Sequence, residues 1–221
     1  MAAADDVASA LPECIPIGLI ELPALQLALY ADPQLPLLYP DWETQQHSLE
    51  SYLRDWWPTF LEVAKQTGVF NVLGVDPARH TLAVELTWSD HARMRQLNCD
   101  YRGKDTTTDV LTFTLLADSP HTAIWLDLPV LQPGSIFVSI PWAQEAIVPT
   151  ATNYTQLVAR YLLERVTHGF LHLHGMHHDT LPDYERVVAI QNRVLAVCFP
   201  EIDEQQAAAA LKESQPTAES L

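Results

Sequence analysis

The chain has 221 residues, a length that suits one domain with terminal tails and a substantial hydrophobic core. Its three cysteines lie far apart and form no C-x-x-C pair, which argues against a disulfide framework or a thiolate zinc site and fits a reducing compartment. The formal net charge of −16, from 12 Lys and Arg against 28 Asp and Glu, disfavours a broad nucleic-acid-binding surface.

The N-terminal part of the chain carries no recognisable targeting signal. Its first basic residue is Arg54, so it offers neither the positive region of a signal peptide nor the arginines of a transit peptide. The apolar stretch 15–29 is interrupted by two prolines and a glutamate, which makes it a poor membrane span. We therefore expect a cytoplasmic protein with no membrane partner, in which residues 1–24 form a partly ordered extension.

The periodicity of apolar residues predicts a mixture of strands and helices in the rest of the chain. Strands are predicted over residues 25–30, 80–88, 110–115, 123–128 and 136–140. Helices are predicted over residues 48–66, 90–99, 153–174 and 183–199, with a shorter one over 204–212. Pro58 is expected to kink or split the first helix. Residues 116–134 contain several prolines and are expected to form an extended, hairpin-type insertion.

This order of elements indicates an α+β fold, with a small mixed β-sheet packed with several helices. We assign residues 25–200 to a single metallohydrolase domain and residues 201–221 to a C-terminal tail that is helical at its start. The candidate metal site lies at the end of the long helix 153–174.

Five of the nine histidines fall within eleven residues, from His168 to His178. His168 and His172 are four residues apart, so on a helix both imidazoles project from one face. Gly175 can end the helix in a left-handed conformation and let the chain return His178 as a third ligand. Three protein ligands and one open position are typical of catalytic zinc, which lowers the pKa of its bound water to about 7.

Two other interpretations of these histidines are weaker. His174 and His178 also form an i, i+4 pair, but Gly175 would then have to stay helical. The spacing H-x3-H-x5-H also occurs in metzincin proteases, which require a glutamate directly after the first histidine as general base. That position is Gly169, so a protease would lack its base.

A second dense motif runs from Leu97 to Phe113, with the sequence LNCDYRGKDTTTDVLTF. Together with the histidine motif it resembles the YbeY family of bacterial ribosomal-RNA-maturation endoribonucleases, whose hallmarks are LN-x-x-YRGKD-x-PTDVLSF and HG-x-LHL-x-GYDH. The resemblance covers about residues 80–198. It implies one zinc ion bound by His168, His172 and His178.

The resemblance also implies a functional arginine at Arg102. A guanidinium offers forked, permanently charged donors that suit a phosphodiester and its developing negative charge. Four of the twelve basic residues lie between positions 93 and 104, so a local positive pocket is compatible with the acidic surface. The structural alternative is that Arg102 only pairs with Asp105 or Asp109.

The chain departs from the family pattern beside the third histidine. The family's aspartate is replaced by His177, and Asp179 follows the histidine instead. Either His177 or Asp179 is therefore the candidate for proton handling. Thr107 also replaces the proline of the second motif, and Ser135 replaces an aspartate before the next strand. Neither change affects a candidate ligand.

Three functions remain after this comparison. The leading hypothesis is a single-strand-specific, metal-dependent endoribonuclease that acts in 3′-end maturation of small-subunit (16S) ribosomal RNA and in ribosome quality control. The second is a ribosome-assembly factor with a mainly structural zinc, whose acidic surface would contact basic ribosomal proteins. The third is a metallohydrolase for peptides or small molecules.

Overall fold

The computed structural model describes residues 11–119 and 122–211. Its five strands are β1 (Ile15–Leu22), β2 (Leu25–Ala31), β3 (Thr81–Ser89), β4 (Val110–Thr114) and β5 (Val130–Ser139). The helices before β5 are α1 (Leu35–Leu38), α2 (Trp42–Thr67), α3 (His91–Arg102) and α4 (Thr122–Trp125). Those after it are α5 (Ile140–Ala146), α6 (Tyr154–Leu173), α7 (Leu181–Cys198) and α8 (Glu204–Ala209).

The strands form one mixed sheet in the order β1-β2-β3-β5-β4. The inner strands β2, β3 and β5 are parallel, and each outer strand runs antiparallel to its neighbour. Alternate residues are buried along β2 and in the first half of β3, so one face of the sheet packs on the helices, while the last four residues of β3 are all buried. The predicted α+β class with a small mixed sheet is thus confirmed. Within the described ranges no helix is both long and apolar enough to cross a membrane.

An aromatic cluster joins α2 to α6 behind the sheet. Trp56, Trp57, Phe60 and Phe170 have ring centroids between 4.9 and 5.9 Å apart. The indole Nε1 of Trp56 also donates a hydrogen bond of 2.9 Å to the hydroxyl of Thr167 on α6. These contacts fix α6 in position one residue before His168.

The structure corrects three predictions about the secondary structure. Pro58 does not split α2, which is one helix from Trp42 to Thr67 with Pro58 on its exposed face and the aromatic residues on its buried face. The predicted strand 123–128 is instead the short helix α4 followed by turns, and its apolar Ile124 and Trp125 are exposed. The segment 116–134 is no hairpin, since its last residues already belong to β5, which pairs with β3 from Val130 onward.

Strand β1 lies within the predicted N-terminal extension and had not been predicted. Only Ile20 of this outer strand is buried, so its sequence lacks the alternation that marks a half-buried strand. Helix α8 is shorter than predicted. Residues 1–10, 120–121 and 212–221, which fall in the predicted extension, insertion and tail, lie outside the described residues.

Gly169 brings α6 into direct contact with β5. A Cβ atom at this position would lie 2.8 Å from two side-chain carbons of Ile136, which is itself fully buried. The position therefore has no room for a side chain, which explains physically why a glutamate base could not stand there. The close approach also sets the height of His168 above the sheet.

We expect Gly169→Ala to destabilise the protein despite the better helix propensity of alanine. Overpacking a core costs about 1–3 kcal/mol, whereas replacing a helical glycine by alanine recovers at most about 1 kcal/mol. Urea unfolding of both proteins measures the difference in the free energy of unfolding. Gly18→Ala, in strand β1, is the control for an added methyl group, because its nearest neighbours would be the flexible Glu50 carboxylate at 3.4 Å and Leu29 at 3.8 Å. Equal stability of Gly169→Ala and wild type would contradict this packing argument.

Candidate metal centre

Helix α6 carries His168 and His172 on one face, as their spacing predicted. Their Nε2 atoms are 2.8 Å apart, and their ring centroids are separated by 4.5 Å. His168 is buried and His172 is half-buried. Two imidazole nitrogens at this separation can contact one small cation, since ligands at 2.0–2.1 Å in a tetrahedron are about 3.3 Å apart.

A Schellman turn at the end of α6 returns the chain toward these two histidines. Gly175 has φ of 76° and donates its N–H to the carbonyl of His172 at 2.8 Å. Met176 donates to the carbonyl of Leu171 at 3.0 Å. These are the two hydrogen bonds of the motif, in which a left-handed glycine satisfies the last carbonyls of a helix.

The turn places the ring of His178 beside the first pair. Its centroid lies 5.2 Å from that of His168 and 5.0 Å from that of His172. One ligand atom from each of the three residues lies within 4.8 Å of the others. The Nε2 atom of His178 is buried and has no hydrogen-bond partner in the described part of the chain. A buried, unpartnered nitrogen is costly unless something binds it, so the donor set fits a metal ion.

The electrostatics of the cluster keep its central imidazole neutral. Burial is the largest cause that lowers the pKa of His172, and together with the neighbouring His168, His178, His177 and Arg102 it brings the pKa to about 3. The imidazole of His172 is therefore neutral at pH 7. A metal ligand must be deprotonated, so this environment favours metal over proton.

The two remaining histidines of the motif have different surroundings. His174 is fully buried: its Nδ1–H donates to the carbonyl of Phe170 at 2.7 Å, and its ring packs edge-on against Phe70. Burial lowers the pKa of His174 to about 4, so it is a neutral core residue outside the cluster. His177 is exposed, with its ring centroid 5.8 Å from that of His172.

A cavity of about 250 Å³ opens in front of the histidines. It is lined by Arg102, Val110, Thr112, Thr114, Asp118, His168, His172 and His177. Four of the six sequence-predicted site residues thus line one cavity: Arg102 from α3, His168 and His172 from α6, and His177 from the turn after α6. His178 belongs to the histidine cluster but does not line this cavity. Asp179 is exposed and does not line the cavity.

Arg102 reaches the cavity from the last turn of α3, which ends at Gly103 in a left-handed conformation. The alternative that Arg102 pairs with Asp105 or Asp109 is wrong. Asp105 receives two hydrogen bonds from Arg95, at 2.7 and 2.8 Å, and Asp109 pairs with Arg165 at 2.9 Å. Within the described ranges Arg102 makes no ion pair, so its guanidinium is available to a ligand.

Asp109 connects the cavity strand β4 to α6. Its Oδ1 accepts the N–H of Val110, and its Oδ2 faces both Arg165 and the hydroxyl of Tyr161. Burial acts to lower the pKa of Arg165, but Asp109 and Glu164 outweigh it and hold the pKa above its ordinary value. This buried ion pair holds strand β4, which forms one wall of the cavity, against helix α6, which carries His168 and His172.

Asp118 is a site residue that the sequence did not indicate. It lies between β4 and α4, belongs to neither motif, and enters the cavity through the fold alone. The hydroxyl of Thr114 donates a hydrogen bond to its Oδ2. No spacing or composition signal distinguished this aspartate from other surface carboxylates.

Comparison with known proteins places this geometry in a family. Residues 42–198 match the model of a family described as Endoribonuclease YbeY. A protein of that name from Geobacillus kaustophilus is 38% identical over 115 residues, which cover 51% of this chain and 70% of the relative. Another from Moorella thermoacetica is 39% identical over 116 residues, with the same coverage of 51% and 70%.

One solved structure is also similar. It is a solution structure of a Thermotoga maritima protein that covers 72% of this chain and 92% of its own, with 23% identity and a TM-score of 0.37. The family match spans α2 to α7 and so contains every residue of the histidine cluster and its cavity. The chain belongs to the YbeY endoribonuclease family.

Proposed function

We propose that this protein is a zinc-dependent endoribonuclease that cleaves single-stranded RNA at the histidine cavity. The observation that carries the proposal is a cluster of three imidazoles, two of which line a single cavity together with the guanidinium of Arg102, which has no ion pair in the described part of the chain. The relatives named Endoribonuclease YbeY supply the reaction class. The family resemblance supplies the substrate: the 3′ end of small-subunit ribosomal RNA, with a role in ribosome quality control.

His168, His172 and His178 would hold one zinc ion, with a fourth position left for water or substrate. When bound, zinc polarises a phosphoryl oxygen and makes hydroxide available near neutral pH. Arg102 contributes donors for the non-bridging phosphate oxygens and for the charge that develops on them. His177 lines the cavity and can exchange a proton with the attacking or leaving oxygen.

The acidic surface limits how the protein can hold RNA. With a net charge of −16, long-range attraction to a polyanion is unfavourable, so affinity must come from local contacts. Arg102 is one such contact. The half-exposed ring of Tyr184 is another, because it lies beside His178 with centroids 6.2 Å apart and can stack on a base. These contacts suit a flexible single strand better than a duplex.

The same charge favours a second candidate, a ribosome-assembly factor with a mainly structural zinc. Its surface would then contact basic ribosomal proteins rather than RNA. Removal of zinc separates the two functions. Unfolding on chelation, with no RNA cleavage by the zinc-bound protein, would support the assembly factor. Both functions place the protein with ribosomes in the cytoplasm.

His172→Ala is expected to lose both zinc and RNA cleavage. The substitution removes the central ligand, and two imidazoles hold zinc far more weakly than three. Metal analysis of the purified protein gives the zinc content, and a labelled single-stranded RNA gives the cleavage rate. His47→Ala, on the exposed face of α2, is the matched control and should keep both. Cleavage at the wild-type rate by a metal-free variant lacking all three ligands would refute the mechanism.

Arg102→Ala is expected to lower kcat/KM by about 10–100-fold while zinc content stays unchanged. A hydrogen bond to a charged group contributes about 1.5–3 kcal/mol, and each 1.4 kcal/mol corresponds to a factor of ten. Arg102→Lys should recover part of the loss, because it restores the charge without the fork. Lys104→Ala controls for loss of one exposed positive charge. If the two alanine variants behave alike, Arg102 has no specific role.

His177 and Asp179 are both candidates for proton transfer, and their positions separate them. His177 lines the cavity and Asp179 does not, so we expect His177→Gln to lower kcat and Asp179→Asn to have a much smaller effect. Initial rates at saturating RNA, compared at equal zinc content, measure this difference. A larger loss in Asp179→Asn would reverse the assignment.

A further inference from the structure

Asp118 supplies a carboxylate to a cavity that otherwise suits an anion. Among the described residues that line the cavity it is the only acidic side chain, and it shares the cavity with Arg102 and three histidines. A carboxylate repels a phosphodiester in its neighbourhood. A ligand that binds here therefore needs a hydrogen-bond donor that can offset the repulsion by Asp118.

One oxygen of the Asp118 carboxylate accepts a hydrogen bond, and the other is open. Thr114, on the cavity strand β4, donates its hydroxyl hydrogen to Oδ2 of Asp118. Within residues 11–119 and 122–211, Oδ1 has no hydrogen-bond partner and Asp118 has no ion pair. The group of candidate metal ligands consists of the three histidines and does not include Asp118. One acceptor oxygen is thus open to whatever occupies the cavity.

The chemistry of a nucleotide narrows the choice of donor. An ionised carboxylate can only accept hydrogen bonds, and a phosphodiester has no hydrogen to donate. The donor closest to the phosphate in RNA is the ribose 2′-hydroxyl, the group by which proteins distinguish RNA from DNA. A guanidinium for the phosphate and a carboxylate for the adjoining hydroxyl together match a ribonucleotide. A deoxyribonucleotide would meet the repulsion of Asp118 without the compensating hydrogen bond.

We propose that Asp118 accepts a hydrogen bond from a ribose 2′-hydroxyl and makes the cavity selective for ribose over deoxyribose. This inference rests on the proposed endoribonuclease function and adds a specificity-determining residue to it. Thr114 positions the carboxylate. The selectivity is a property of binding and does not require the metal.

The test measures binding of short fluorescent single strands of RNA and DNA, identical in sequence apart from U for T, to the full-length chain as purified. Anisotropy is read on ice, and a gel confirms that the RNA stays intact during the measurement. Wild type is expected to prefer RNA by about tenfold, as a charged hydrogen bond predicts. In Asp118→Ala the ratio should fall close to one, with DNA bound at least as tightly as by wild type because a negative charge is gone. Asp118→Asn keeps an acceptor oxygen and should keep part of the preference. Asp127→Ala, an exposed carboxylate outside the cavity, should leave the ratio unchanged.

Three results would overturn the proposal. The first is the same RNA-to-DNA ratio in wild type and Asp118→Ala. The second is an unchanged binding ratio with a lowered kcat in the zinc-loaded Asp118→Ala enzyme, which would assign Asp118 to proton transfer instead. The third is equal binding of RNA and DNA by wild type. If zinc-dependent RNA cleavage still requires His172 in these cases, the proposed function survives and only the role of Asp118 fails.

Discussion

The contact between Gly169 and Ile136 is the constraint on which the site depends. It allows α6 to lie directly on β5, so the helix is buried along nearly its whole length. A buried helix end cannot leave its carbonyls unpaired, and the chain resolves this with the Schellman turn at Gly175. That reversal is what returns His178 to the other two imidazoles. The histidine cluster is thus a consequence of how closely one helix packs on one strand.

The arginines near the cavity differ in whether they are paired with a carboxylate. Arg95 and Arg165 each satisfy an aspartate of the second motif, and Arg165 does so in a buried position where an unpaired partner would be costly. Arg102 is left without a carboxylate in the described part of the chain. Other arginines also lack an ion pair there, but Arg102 is the one that lines the histidine cavity, so its guanidinium is available to a ligand in it.

The sequence predicted the elements whose signals are local and repetitive. The i, i+4 histidines, the glycine at the helix end and the strong apolar periodicity of α2 and α6 depend on neighbouring residues, so they could be recognised in the chain itself. Strand β1 and helix α4 could not, because exposed elements at the edge of a fold carry little periodicity. The ion pair between Asp109 and Arg165 could not be predicted either, because the two residues are 56 positions apart in the sequence.

The same distinction explains which residues of the candidate site could not be predicted from the sequence. The three candidate ligands come from one helix and its turn, so their spacing is visible in the chain itself. Groups that bind substrate or move protons need only face the cavity, so any segment that passes it can supply them. The residue after His168 is closed to a glutamate by the packing on Ile136. The acidic group of this cavity therefore comes from across the fold, where Thr114 holds Asp118 on the strand side, while His177 lines the cavity on the helix side. Because the cation, the carboxylate and the imidazoles belong to different elements, one wall of the cavity can be substituted without disturbing the histidines at the other.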